Sequence, residues 1–76
     1  MAQYDEHLQL RLRRLGEQVR SERVRLGMSQ EELAHAAGLH RTYVGSVERG
    51  ERNISVGSLF VLADTMGVAP AALLPE

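Results

Sequence analysis

The sequence contains no cysteine, no tryptophan and a single phenylalanine among its 76 residues. Without cysteine, a disulfide framework and a cysteine-based zinc site are both excluded, and a reducing compartment is favoured. No apolar run approaches the roughly 20 residues that a membrane-spanning helix needs, and the N-terminus lacks the apolar segment of a signal peptide. We therefore expect a soluble, cytoplasmic domain that does not enter a membrane.

Groups that could carry metal or catalytic chemistry are also scarce. The three histidines, His7, His35 and His40, do not stand at the i and i+4 spacing with which one helix binds a metal ion. We find no nucleophile–base arrangement, no glycine-rich phosphate loop and no core large enough for a pocket. The sequence therefore predicts no enzyme, no metal site, no cofactor and no small-molecule substrate.

Charge is nearly balanced, and all nine basic residues are arginine. A formal net charge of −1 argues at first against a nucleic-acid partner. Its distribution argues the other way, because Arg41, Arg49 and Arg52 share one stretch while the segment after residue 55 carries only Asp64 and Glu76. The planar guanidinium of arginine also suits bidentate contacts with phosphate and guanine. These features predict modest non-specific affinity and reliance on a dimer.

The hydrophobic pattern predicts one all-α domain spanning residues 1–76, with residues 1–4 disordered. A long first helix, capped at Asp5 and continuing to about Leu26, carries an apolar stripe that recurs with a helical period. Its predicted core residues are Leu12, Leu15 and Val19, with Leu8 either half-exposed or in contact with a partner. Leu26 and Met28, which flank the turn at Gly27, are also predicted to be core residues.

Residues 29–53 contain the pattern around which the chain is organised. Ser29 and Glu32 form a capping box that starts a short helix, and Gly38 is suited to end it. A second helix begins near His40 or Arg41 and runs to Arg49, with a polar outer face. Two short helices joined by a tight glycine-containing turn indicate a helix-turn-helix over residues 29–49, whose second helix would enter the DNA major groove.

A fourth helix is predicted from Val56 to Met66, with Ser55 as its N-cap, and Pro70 opens a short fifth helix that ends near Leu74. The apolar residues on the outer side of these two helices are too extensive for a small monomer. We interpret residues 55–74 as dimerisation helices; the alternative is that the outer residues fold back into the core. The residues predicted to face the core are Val56, Leu59, Leu62, Ala63 and Met66, and those of the homodimer interface are Phe60, Val61, Ala71 and Leu74.

The segment SQEELA at residues 29–34, the glycine turn and Glu48-Arg49-Gly50 resemble the Cro and lambda-repressor-like (XRE) family of helix-turn-helix regulators. The runs LHRTY at residues 39–43 and SVERGERN at residues 46–53 are particularly similar to controller proteins of restriction–modification systems. The family pattern covers residues 15–74, so the first fourteen residues are additional. The resemblance implies a compact five-helix, lambda-repressor-like DNA-binding domain.

The resemblance also implies roles for individual side chains. It places the base-reading residues at Arg41, Thr42 and Ser46, although Ser46 could instead contact only a phosphate. It pairs Glu48 with Arg23 on the first helix, which would neutralise a carboxylate near DNA. Contacts with the DNA backbone are expected from Gln30, His40, Tyr43, Arg49, Arg52 and Asn53, although Tyr43 could instead pack against the preceding helix and one of the last three could be a solvated surface residue.

These expectations together predict a transcriptional regulator that binds, as a homodimer, a palindromic operator in double-stranded DNA. The resemblance favours a controller protein of a restriction–modification system, with RNA polymerase as a further candidate partner. A phage-type or antitoxin-linked repressor would use the same DNA chemistry. The alternative from a different class is a helical protein–protein interaction module that no longer binds DNA, which the slightly acidic balance favours and the arginines oppose.

Overall fold

A computed structural model describes residues 5–75, which form four α-helices and a final 3-10 turn. The prediction of an all-α domain with a long first helix is confirmed; the disorder predicted for residues 1–4 lies outside the described residues. The fifth helix is a single 3-10 turn because Leu74, which precedes Pro75, adopts an extended backbone that a following proline favours. The elements are α1 (Glu6–Arg25), α2 (Gln30–Ala37), α3 (Arg41–Glu48), α4 (Val56–Met66) and the 3-10 turn (Pro70–Leu73).

Local side-chain hydrogen bonds set the starts of α1, α2 and α4. The Leu8 amide donates to the Asp5 carboxylate at 2.8 Å, and Ser55 caps α4 through the Ser58 amide at 3.0 Å. At α2 the capping box is complete: Glu32 N donates to Ser29 Oγ at 3.0 Å, and Ser29 N donates to Glu32 Oε1 at 2.8 Å. The bond from the Ser29 amide lowers the pKa of Glu32. These three predicted caps are confirmed.

The core lies between α1, the α2–α3 pair and α4, and the 3-10 turn closes one end with Leu73. Leu12, Leu15 and Val19 are buried, which confirms the predicted apolar stripe of α1. Two predicted core residues are wrong: Val56 is 64% exposed and Leu26 is 40% exposed. Both lie at helix ends, where the neighbouring helices no longer cover the apolar face. Met28, also predicted, is partly buried against the core.

Gly16 lets α1 and α3 approach at backbone distance. A Cβ atom at Gly16 would lie 2.3 Å from the carbonyl oxygen of Val47 and 2.5 Å from that of Glu48. Both contacts are to backbone atoms in the last turn of α3, which cannot rotate away as a flexible side chain could. The absence of a side chain at residue 16 therefore sets how closely the end of α3 lies against α1.

We expect Gly16→Ala to destabilise the domain by about 1–3 kcal/mol, because the added methyl group forces the two helices apart. The matched control is Gly57→Ala in the first turn of α4, where the nearest atom to an added Cβ is Ser55 Oγ at 4.0 Å. The control should be neutral or stabilise by up to about 1 kcal/mol through helix propensity. Urea unfolding followed by circular dichroism measures both; equal stability of the two variants would contradict the close approach.

Candidate nucleic-acid interface

The outer face of α3 presents two arginines that are available to a ligand. Arg41, Thr42 and Arg49 are exposed and line a shallow hollow together with Gly45 and Gln30. Arg41 makes a long ion pair with Glu31 at 3.6 Å, and Arg49 pairs with Glu51 at 3.1 Å. Exposed pairs of this kind contribute only about 0–1 kcal/mol. Another anion can therefore replace either carboxylate at small cost.

His40 caps the start of α3 through a hydrogen bond to its imidazole ring. Its Nδ1 accepts a hydrogen bond from the Thr42 amide at 3.1 Å, which requires that this nitrogen carry no proton. The side chain is exposed, so Nε2 is the ring nitrogen left to meet a ligand. This capping role fixes the first turn of α3, and with it the directions of Arg41 and Thr42.

At the other end of α3, the Glu48 carboxylate joins three helices. Arg23 on α1 donates to both of its oxygens, from Nε at 2.7 Å and from Nη2 at 3.0 Å. Gln30 on α2 donates from Nε2 to Glu48 Oε1 at 3.0 Å. The Glu48 side chain is only 3% exposed, so its charge is compensated inside the protein and not presented to solvent. Hydrogen bonding to Glu48 raises the pKa of Arg23, outweighing the lowering by burial.

Gln30 has a structural role that the sequence did not indicate. Its amide lies over Gly45, where an added Cβ would be 3.4 Å from Gln30 Oε1 and 3.1 Å from Arg49 Nη1. Gly45 thus gives both side chains room to lie across the outer face of α3. Because Gln30 uses one N–H on Glu48, one further N–H of the same amide is left to donate outward.

Ser46 does not face outward, and that prediction is wrong. Ser46 is 7% exposed, and its hydroxyl donates to the Tyr43 carbonyl at 2.8 Å and accepts from Arg52 Nε at 3.3 Å. The guanidinium of Arg52 also lies 5.3 Å from the centre of the Tyr43 ring. The loop after α3 therefore folds back and covers Ser46. Gly45 is buried as well, beneath the side chains of Gln30 and Arg49, so the exposed residues of α3 itself are those of its first turn, Arg41 and Thr42.

The remaining predicted residues occupy two separate places. Tyr43 is half-buried and packs against the core, while Asn53 is exposed in the loop before α4. The outer apolar residues Phe60, Val61 and Leu74 are 50%, 38% and 48% exposed, and Ala71, in the same 3-10 segment that precedes Leu74, is exposed as well. The alternative that these residues fold back into the core is wrong.

Within residues 5–75, no three histidine, cysteine or acidic side chains come together as a potential metal site. In the same described part of the chain, no helix is both long and apolar enough to cross a membrane.

The family model described as helix-turn-helix (HTH_3) matches residues 19–73. The chain is 50% identical over 60 residues to the control protein C.SmaI of Serratia marcescens, covering 79% of this chain and 71% of that protein. It is 43% identical over 60 residues to the control protein C.BamHI of Bacillus amyloliquefaciens, covering 78% and 74%. The crystal structure of the restriction-modification controller protein C.AhdI from Aeromonas hydrophila superposes with a TM-score of 0.81 at 43% identity, covering 83% of this chain and 96% of that one.

Glu48→Ala should destabilise the domain by about 3–5 kcal/mol, because it leaves the largely buried Arg23 guanidinium without its counter-charge. Glu22→Ala is the control, since Glu22 pairs with Arg25 at 2.8 Å on the surface and its loss should cost no more than about 1 kcal/mol. Chemical denaturation compares the two. A Glu48→Ala cost as small as that of Glu22→Ala would show that the buried pair does not hold the helices together.

Proposed function

The chain belongs to the helix-turn-helix (HTH_3) family of DNA-binding transcriptional regulators, and from this we propose that it controls a restriction–modification system by binding a two-fold symmetric operator as a homodimer. The family is one of regulators and not of enzymes. The similarity to controller proteins supports the proposal that the regulated genes belong to a restriction–modification system.

The observation that carries the proposal is the exposure of Arg41 and Thr42 at the start of α3 while Glu48 is neutralised at its end. In the major groove, the Arg41 guanidinium would donate two hydrogen bonds to O6 and N7 of a guanine, worth about 1–3 kcal/mol of discrimination. Thr42 beside it offers a hydroxyl to a base edge or a methyl group to thymine. These two residues are the proposed base readers.

The DNA backbone would be held from both sides of α3. The free N–H of Gln30 and the exposed Nε2 of His40 are the proposed donors from one side, and the arginines and Asn53 after α3 are those from the other. Such contacts fix the register of the protein on the duplex without reading its sequence. Ser46 in this proposal positions Arg52 and does not read a base. The proposed backbone contacts are Gln30, His40, Tyr43, Arg49, Arg52 and Asn53.

The exposed apolar residues of α4 and the 3-10 turn, Phe60, Val61, Ala71 and Leu74, are the proposed dimer interface. Three of them are large side chains that are more than a third exposed in a chain of 76 residues. Apolar surface of this extent on a small protein is characteristic of an interaction site. Dimerisation through it would place two copies of α3 in successive major grooves, about 34–36 Å apart. RNA polymerase is the proposed further partner at sites where binding activates transcription.

Selection of bound sequences from a random duplex pool tests the DNA proposal. The wild-type protein should enrich two-fold symmetric sites, and Arg41→Ala should relax the preference at one position in each half-site, by about 1–3 kcal/mol for the preferred base. The control Arg49→Ala should weaken binding to all sequences similarly. A uniform loss with Arg41→Ala would assign that residue to the backbone. Absence of binding to any duplex at low salt would favour a protein-interaction module.

Light scattering tests the dimer. Phe60→Glu should convert the protein to a monomer, because burying an unpaired carboxylate in an apolar interface is strongly unfavourable. Val24→Glu provides the control, since Val24 is 57% exposed on α1 beside Glu17, Arg20 and Ser21 and outside the proposed interface. An unchanged dimer mass in Phe60→Glu, or dissociation caused equally by Val24→Glu, would move the interface elsewhere.

A further inference from the structure

The loop after α3 rests directly on the first half of α1, at Arg13. Gly50 in that loop has a left-handed backbone with φ of 76°. A Cβ atom there would lie 2.5 Å from Arg13 Cγ, 2.7 Å from its Cα and 2.8 Å from its N. The loop backbone is therefore in contact with the backbone and the aliphatic stem of Arg13, which places the arginine at the edge of the proposed interface.

The loop that contacts Arg13 carries two arginines and one glutamate. Gly50 follows Arg49 and stands two residues before Arg52 in the chain. Glu51, the acidic residue of the same loop, is already paired with Arg49 at 3.1 Å. Arg13 is exposed, and within residues 5–75 it belongs to none of the ion pairs that join Arg23, Arg25, Arg41 and Arg49 to carboxylates.

We propose that Arg13 contacts a phosphate of the DNA backbone at the outer flank of each half-site, making α1 a third element of the interface beside α2 and α3. This inference rests on the proposed function. Among the described residues Arg13 has no carboxylate partner, and it contacts the loop that joins Arg49 to Arg52, two arginines proposed to contact phosphates. It is therefore positioned for a further phosphate of the DNA backbone. The contact comes from a part of α1 that precedes the matched family segment at residues 19–73.

A phosphate contact has a signature that a base contact lacks. It strengthens binding to every sequence and makes the negative slope of log K against log salt concentration steeper by about 0.9, because a counterion is released from the DNA. For a dimer the two copies of Arg13 would add roughly 1.8. Between 50 and 200 mM salt, the wild-type dimer should then lose roughly tenfold more affinity than a dimer without the two contacts.

The variant Arg13→Gln removes the charge while keeping the aliphatic stem against Gly50. Its matched control is Arg14→Gln, which removes the same charge from the next residue, about 100° around the helix on the exposed side. Affinity is measured for an operator and for a scrambled duplex between 50 and 200 mM salt. We expect Arg13→Gln to weaken both complexes by a similar factor and to reduce the salt slope by roughly 1.8, Arg14→Gln to retain the wild-type slope, and Arg13→Lys to restore the slope.

Equal salt slopes for Arg13→Gln and Arg14→Gln would overturn this inference and leave the proposed function intact. Weaker binding with an unchanged slope would also overturn it, since that result indicates a structural role for the stem. A loss confined to the operator would mean that Arg13 reads a base and not a phosphate. If the wild-type protein bound no duplex at any salt concentration, the proposed function and this inference would both be wrong.

Discussion

The orientation of α3 depends on one buried carboxylate. Glu48 accepts hydrogen bonds from Arg23 on α1 and Gln30 on α2, so a single side chain fixes the end of α3 against both neighbours. The net free energy of such a pair can be small, because removing two charges from water costs about as much as their attraction returns. The pair contributes mainly to the geometry of the site. Hydrogen bonds from two directions fix the position of the helix end more closely than apolar contacts do, because apolar contacts are non-directional.

A backbone contact supports the same end of α3. A Cβ at Gly16 would lie 2.3 Å from the carbonyl oxygen of Val47 and 2.5 Å from that of Glu48, so α1 approaches α3 without an intervening side chain. The two constraints hold the last turn of α3 and leave its first turn, with Arg41 and Thr42, exposed. His40 fixes that first turn from within by accepting from the Thr42 amide. A helix of eight residues is thus fixed at both ends while its outer face stays available to DNA.

Local patterns predicted the helices well because capping and periodicity act over a few residues. Ser29, Ser55, Gly38 and Gly67 mark helix ends through bonds or backbone angles that neighbouring residues determine. Ser46 was predicted to face outward because it lies one helical turn after the exposed Thr42. In the structure it is buried, and Arg52 from the following loop donates to its hydroxyl, a tertiary contact that helical spacing does not reveal.

Other features needed the assembled structure. The exposure of Leu26 and Val56 depends on where neighbouring helices stop, which hydrophobic spacing does not reveal. The bond between Gln30 and Glu48 joins residues 18 positions apart. Gly16 did carry a readable signal, since a glycine within a helix, between the core residues Leu15 and Val19, often marks a close helix approach.

The most direct test of the Glu48 role is the operator affinity of Glu48→Gln compared with Glu51→Gln, both measured below their unfolding temperatures. Each variant removes one negative charge from the segment proposed to face DNA. If Glu48 orients α3, Glu48→Gln should bind more weakly than wild type even though a repulsive charge has been removed, while Glu51→Gln should bind at least as tightly as wild type. Equal or tighter binding by Glu48→Gln would contradict the account, because it would mean that the carboxylate acts on DNA as a free charge and does not hold the helix.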